Sequence, residues 1–267
     1  MRVDGALDQR VIETLQGYWA LGNECIDLGL ARFVRNRSLE LIHDANLCIP
    51  VQVGTPSEID ELLQCSDEIY AGYADRKFVA YGETHGAFAA HLVCDGYELS
   101  TEVELLLEAE LQASPRALEI RCAETDRDWD ELFRLLRLEH EEDQRRFGEW
   151  SFTEEVSRAM LASYRAKCPP MRFWIAREDG IDCGFFSSWP GENGIGKIEA
   201  LFTREEFRGR GVATALISRA VEDARERGAG PIVIGARTND WPKVFYRKLG
   251  FRPILLQYEF HKRVAPT

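Results

Sequence analysis

A mixed α/β fold over residues 116–267, preceded by a smaller α+β domain over residues 1–115, is what the sequence predicts. Three observations lead there. Strand and helix patterns alternate from Ala117 onward; three strand signals crowd into residues 171–203 ahead of a helix, a β-branched run and another helix; and the charge balance changes at Gln112–Pro115 (QASP). At roughly 100 to 200 residues per domain, 267 residues allow one large domain or two modest ones. The 33 Lys and Arg and 45 Asp and Glu give a net charge of −12. Residues 1–115 hold 7 basic and 20 acidic side chains, a charge of −13, and residues 116–267 hold 26 and 25.

In the first part, Val11, Leu15 and Tyr18 mark one face of a helix, and Ile59, Leu62 and Leu63 mark another. Lys77–Tyr81 reads as a strand, Phe88–Cys94 as a helix and Glu102–Glu108 as an alternating strand after Gly96-Tyr97. That order echoes Pro231–Phe260, where Gly250-Phe251 stands in the place of Gly96-Tyr97; chance coincidence of two such segments is the competing account.

In the second part, Ala117–Cys122 is a strand, and Thr125 opens a capping-box-like TDRD before a charged helix to about Phe147. A helix from about Thr153 to Lys167 is stopped by Pro169 and Pro170. Met171–Arg177, Cys183–Trp189 and Lys197–Thr203 are strands, separated by Asp179-Gly180 and the Gly-rich Pro190–Gly196, so the sheet begins antiparallel. A helix from about Gly211 to Gly228, a strand at Pro231–Ile234, a helix from Trp241 to Leu249 and a strand at Phe251–Phe260 follow, adding a parallel unit. The expected sheet has six or seven strands.

Several function classes drop out. A −13 N-terminal part repels a phosphate backbone, so no nucleic-acid partner is expected. No run reaches the 18 or so apolar residues of a membrane span, and Met1–Arg10 lacks the apolar run of a signal peptide, so a cytoplasmic protein without membrane partners is expected. Cys25, Cys48, Cys65, Cys94, Cys122, Cys168 and Cys183 contain no CxxC pair, so neither a disulfide framework nor a metal site is indicated.

The most informative stretch is Ile198–Ala213, IEALFTREEFRGRGVA. A strand delivers the chain to a loop, and Arg208-Gly209-Arg210-Gly211-Val212-Ala213-Thr214 opens a helix whose first N–H groups and dipole suit an anion. Small residues let backbone approach a diphosphate, and two arginines add charge. A P-loop would need Lys-Ser or Lys-Thr where Val212-Ala213 stands, and a Rossmann turn would need GxGxxG. Alone, the motif also fits a basic surface loop.

A second motif, Asn239-Asp240-Trp241-Pro242-Lys243-Val244-Phe245-Tyr246-Arg247-Lys248-Leu249-Gly250-Phe251, lies beyond it. With both, residues 117–260 resemble the GNAT superfamily of acyl-CoA-dependent N-acyltransferases. Arg208, Gly211 and Ala213 match its diphosphate motif; Asn239, Phe245-Tyr246 and Lys248–Phe251 match its later motif, with Pro242 where the family usually has Ala, tolerable in a first helical turn.

The resemblance implies a splayed GNAT-like sheet and acetyl-CoA as co-substrate, with no metal. Backbone of Leu201, Phe202 and Thr203 would hold the thioester arm, Arg208–Thr214 the diphosphate, and Asn239 and Tyr246 would also meet the cofactor. A primary amine attacks the thioester, and Tyr246 matches the family's general acid for the departing thiolate. Glu199 is the candidate base. Period-2 alternation puts Lys197, Glu199, Leu201 and Thr203 on one strand face; pairing of Glu199 with Lys197 or an arginine is the structural alternative.

The helix bearing Glu139, His140, Glu141, Glu142 and Asp143 lies where the family builds its acceptor wall, and either attracts a cationic amine or is a solvated charged face. Trp150, Phe185, Phe186 and Trp189 line the acceptor pocket or fill the core. His43, His85, His91 and His261 join no constellation, and Ser151, Ser187 and Ser188 lack a His-Asp context. The N-terminal domain, possessing nothing like RGRGVA, is expected not to bind CoA. It would be a degenerate GNAT-like half that shapes the acceptor site or forms a homodimer contact. The competing function is a non-catalytic acyl-CoA-binding sensor.

Overall fold

The computed structural model describes residues 5–82, 85–148 and 152–264. It divides into two compact units that are not continuous in the chain: unit 1 is Met1–Leu105, Gly235–Arg247 and Arg252–Thr267, and unit 2 is Leu106–Ile234 with Lys248–Phe251. The charge boundary at 115/116 is a division along the sequence; compactness instead assigns the chain's final segment to unit 1.

Unit 1 begins with α1 (Gly5–Ala20), β1 (Glu24–Asp27), β2 (Ala31–Arg35), β3 (Leu47–Val51), α2 (Pro56–Ile69), β4 (Asp75–Tyr81), α3 (His85–Cys94) and β5 (Glu98–Leu107). The predicted face of α1 is the buried one, with Val11, Leu15 and Tyr18 inside. α2 starts on a full capping box, Thr55 accepting from the Glu58 N–H while the Glu58 carboxylate accepts from the Thr55 N–H, with Pro56 in the first turn. Its Ile59 and Leu62 enter a core with Phe33, Phe78, Phe88 and Phe260.

Unit 2 contains β6 (Glu119–Cys122), α4 (Asp126–Phe147), α5 (Glu154–Ala166), β7 (Arg172–Glu178), β8 (Ile181–Trp189), β9 (Gly196–Thr203) and α6 (Val212–Glu226). β10 (Ile232–Arg237), α7 (Pro242–Lys248) and β11 (Arg252–Arg263) complete the chain. α4 has the expected box, Thr125 with Asp128, and ends on Gly148 in the left-handed region. β7 and β8 form a hairpin whose turn residues, Asp179 and Gly180, both have positive φ, as a primed turn requires.

Within unit 2 the strand order is β10-β9-β8-β7-β6, with β10 parallel to β9 through Ile232↔Gly196, Val233↔Lys197 and Ile234↔Ile198, and the remaining pairs antiparallel. Within unit 1 the order is β1-β2-β3-β4-β11-β5. The strand count exceeds the six or seven expected: the described residues form eleven, six of them after residue 116.

The echoed segments are both real strand-helix-strand units, β4-α3-β5 and β10-α7-β11, each with a glycine of positive φ after its helix, Gly96 (83°) and Gly250 (100°). Their last strands interleave. β11 stands between β4 and β5. β11 is antiparallel to β4 over seven pairs, from Gln257↔Tyr81 to Arg263↔Asp75, and carries Phe260 opposite Phe78. Phe260 is fully buried, with its ring edge-on to Phe88 at 5.6 Å between centroids. Phe260→Ala should therefore destabilise unit 1 by about 3 to 5 kcal/mol, measured as a lowered urea midpoint, although the residue lies near the C-terminal end of the chain.

Candidate active site

The predicted cofactor strand contains an irregularity that its sequence does not announce. β9 pairs with β8 through Trp189↔Lys197, Ser188↔Ile198 and Ser187↔Glu199, then through Phe185↔Phe202 and Gly184↔Thr203. Across that step β9 advances three residues while β8 advances two, and Ala200 lies at φ 60°. This is a β-bulge: one extra residue bends the strand and takes its own backbone out of the ladder. The Ser187 hydroxyl donates to the Glu199 carbonyl at 2.6 Å, fixing the peptide that enters the bulge.

The bulge corrects the expected alternation. Directly opposed residues share a face, so Lys197, Glu199 and Phe202 lie on the side of Trp189, Ser187 and Phe185, whereas Thr203, opposite Gly184, lies with Ile198. The Phe202 and Phe185 rings, 5.9 Å apart, agree. Lys197, Glu199, Leu201 and Thr203 thus do not form one continuous face, because period-2 geometry stops where a residue is inserted.

Glu199 does have the ion-pair partner proposed for it. Lys197, 2 % exposed, places Nζ 2.7 Å from Glu199 Oε2, and Glu199 remains a third exposed. On α4, Glu139 is half-buried, and burial followed by the charges of Asp143, Glu142 and Glu199 holds its carboxyl well above the usual range. Glu142 accepts from Arg208 at 2.5 Å. The acidic stretch therefore splits by face: Glu139 and Glu142 belong with β9 and the loop after it, while Glu141 pairs with Arg137 on the same helix at 3.2 Å.

His140 is a core residue. It is 4 % exposed, stacks on Phe152 at 4.2 Å and sets Nδ1 2.8 Å from the Ser157 hydroxyl. Burial, then the charge of Arg137, lowers its pKa to about 4.

The Arg208–Thr214 loop has the expected helix-start geometry. Gly209 (φ 72°) and Gly211 (φ 83°) are left-handed, and Gly211 caps α6 without any side-chain acceptor. Arg208 Nε donates to the Thr203 carbonyl at 3.0 Å, so Arg208 braces the loop against the strand as well as adding charge. Arg210 lies over the Phe207 ring at 5.3 Å, and its carbonyl accepts from Arg116, itself paired with Glu178 at 2.6 Å. The Thr203 hydroxyl is buried with no hydrogen-bond partner among the described residues. An orphaned hydroxyl, an uncapped helix start and small residues at its mouth fit a phosphorylated ligand with hydrogen-bonding groups along its arm.

Asn239 and Tyr246 fall in the segment assigned to unit 1. Asn239 is exposed in the turn after β10, and Tyr246 is buried on α7, 5.8 Å from the Phe245 ring. Phe185, Phe186 and Trp189 are core residues, 2 % exposed or less. Trp150 and Ser151 lie outside the described residues, as does the side chain of His85. His43, His91 and His261 each face an aspartate, Asp44, Asp95 and Asp75. Ser188 donates to buried Asp223 at 2.6 Å and receives the Trp174 indole N–H at 3.0 Å, a structural network without a sequence signature. Among the described residues no helix is long and apolar enough to cross a membrane.

Two outcomes are expected from this geometry. Ala200→Val should cost about 1 to 2 kcal/mol in urea unfolding, because a β-branched side chain at positive φ meets the backbone, whereas Ala200→Gly should not lower stability. The unfolded-state imidazole protonates near pH 6.5 and the folded one near 4, so the unfolded state binds the extra proton in that window and stability falls as pH drops. His140→Gln should remove roughly 2 to 3 kcal/mol of that fall, read from thermal unfolding at stepped pH.

Residues 169–253 match the acetyltransferase (GNAT) domain family. An uncharacterized N-acetyltransferase of Methanocaldococcus jannaschii is 24 % identical, the match covering 77 % of this chain and 90 % of that protein. Among solved structures, a GCN5-related N-acetyltransferase from Kribbella flavida aligns with a TM-score of 0.68 at 12 % identity, covering 97 % of this chain and 96 % of its own. A tandem GNAT protein from the clavulanic acid biosynthesis pathway aligns at 0.55 and 16 % identity over 81 % and 74 %. At these identities the structural likenesses concern the fold, and the second matches the two-part layout.

Proposed function

We propose that this protein, an acyltransferase of the GNAT family through its 169–253 domain, moves the acetyl group of acetyl-CoA directly to a primary amine, with the chemistry carried by residues 116–267. The single observation that carries the reading is the run of the bulge at Ala200, the orphaned Thr203 hydroxyl and the uncapped, glycine-entered start of α6 along one short piece of chain. Acetyl-CoA would supply the activated acyl group. The N–H groups of Val212, Ala213 and Thr214 and the Arg210 guanidinium hold its diphosphate, Arg208 keeps the loop on β9, and the Leu201–Thr203 backbone with Asn239 holds its arm.

The amine must lose a proton before attack; at a pKa of about 10.4 this costs close to 4.6 kcal/mol at pH 7. Glu199 takes that proton, its position fixed by Lys197. The nitrogen–carbon bond then forms, the carbon–sulfur bond breaks, and Tyr246 gives its proton to the thiolate. With reference pKa values of about 10 for tyrosine and 8.5 for a thiol, that transfer is uphill by only about 2 kcal/mol. The carboxylates of Glu142 and Glu199 favour an acceptor that arrives as a cation.

The test is thiol release by purified protein given acetyl-CoA and a panel of primary amines. Turnover is expected; Tyr246→Phe should lower kcat about 10- to 100-fold with little change in KM for acetyl-CoA, and Arg210→Glu should raise that KM. Acetyl-CoA binding with no thiol release for any amine would overturn the enzyme reading in favour of a non-catalytic acyl-CoA sensor.

A further inference from the structure

The arginine that the loop sequence offers first is already spent. Arg208 Nε donates to the Thr203 carbonyl at 3.0 Å and Nη2 donates to Glu142 at 2.5 Å. Those two nitrogens form an edge of the guanidinium that can grip two oxygens of one phosphate. What the loop has left is Arg210, exposed over the Phe207 ring, and the start of α6, equivalent to about half a positive charge. A CoA moiety brings about two negative charges on its diphosphate and about 1.5 to 2 more on its 3′-phosphate. Most of that charge is unmatched within the loop.

Arg116, 94 residues before Arg210, stands beside the same piece of chain. Its Nη1 donates to the Arg210 carbonyl at 3.1 Å and pairs with Glu178 Oε1 at 2.6 Å. Its Cδ and Cγ lie 3.4 and 3.5 Å from the point where a Cβ on Gly211 would stand, so its stem covers the residue that caps α6. The first backbone acceptor inside the helix is the Gly211 carbonyl, which takes the Ala215 N–H. Arg116 therefore satisfies the Arg210 carbonyl without drawing on the N–H groups of Val212, Ala213 and Thr214.

The two arginines differ in which donors remain. Both are paired with a glutamate that offsets part of their charge. Arg208 has given up its Nε and Nη2, whereas both bonds of Arg116 go through Nη1. The Nε and Nη2 of Arg116 have no partner among the described residues, and its side chain is 39 % exposed while that of Glu178 is 11 % exposed. Glu178 thus fixes where the guanidinium sits and leaves its bidentate edge open to solvent.

We infer that Arg116 binds a phosphate of the CoA moiety through its Nε–Nη2 edge, as the cation that the loop between β9 and α6 lacks. The inference rests on the acyl-CoA reading of that loop, and Arg116, Glu178, Arg210 and Gly211 all belong to unit 2. Nothing in the motif around Arg208 points to it, because Arg116 reaches the loop through the fold and not through neighbouring sequence.

Calorimetry on the full chain tests it, with CoA and 3′-dephospho-CoA as ligands. Arg116→Gln should weaken CoA by at least about tenfold at low salt; Arg116→Ala serves if Arg116→Gln does not fold. The gap between wild type and variant should shrink in high salt, as a contact between charges does, and Arg116→Lys should bind CoA more tightly than Arg116→Gln. A loss shared by both ligands puts the contact on the diphosphate, and a loss confined to CoA puts it on the 3′-phosphate; either supports the inference. CoA affinity unchanged in Arg116→Gln, a gap that high salt leaves as it was, or Arg116→Lys no tighter than Arg116→Gln would each overturn it, since Arg116 would then only brace the loop. Absence of CoA binding by the wild-type chain would instead overturn the acyl-CoA reading, and this inference with it.

Discussion

The interleaving of β5 and β11 is the constraint on which unit 1 depends. A strand-helix-strand unit whose two strands are separated by a gap leaves backbone donors and acceptors unpaired on both sides of that gap, and buried unpaired groups are costly. β4 and β5 leave such a gap, and β11, the last strand of the chain, fills it with seven residue pairs to β4 and with Phe260 in the aromatic core. A strand from late in the sequence is thus an interior strand of the unit 1 sheet, which raises contact order and ties it to the early elements of that unit.

The proposed cofactor contacts, by contrast, draw mostly on a short local stretch of unit 2. Between Glu199 and Thr214 the chain passes from paired strand through a bulge and a brief helical turn to the start of α6. Each feature removes a backbone partner: the bulge takes Ala200 out of the ladder, and Gly211 supplies no cap. Departures of this kind are tolerated where a ligand restores the missing interactions. Arg208 shows how the strain is contained, since one guanidinium holds both the Thr203 carbonyl and Glu142 and so joins loop, strand and α4.

Much of this was legible in the sequence because it is local. The capping box at Thr125 and the primed turn at Asp179-Gly180 depend on neighbouring residues, and periodicity marked Val11, Leu15 and Tyr18 correctly. The repeated strand-helix-glycine-strand order was legible as well, but not the exchange of last strands, which is a long-range pairing choice. The bulge at Ala200 escaped because IEALF reads as a regular alternating strand and carries no glycine to mark positive φ. His140 illustrates the limit from the other side. Set among four acids it reads as electrostatic, yet its ring is a stacked core group, because on a helix the neighbours in sequence are not the neighbours in space.

The acidity of residues 1–115 takes on a different meaning once burial is known. Charge on a surface steers ligands over a Debye length and weakens with salt, and a −13 segment suggests that role. Several of its carboxylates are engaged locally instead: Glu104 is buried, Asp44 meets buried Lys77 alongside Glu259 of the last strand, and Asp75 faces His261 at 2.8 Å. Carboxylates held in low dielectric are screened little by salt and act over a few ångströms rather than across a surface. Their effect is therefore local rather than attractive at range, as in the neutral phenol of buried Tyr81, while the exposed remainder supplies whatever long-range field the domain has.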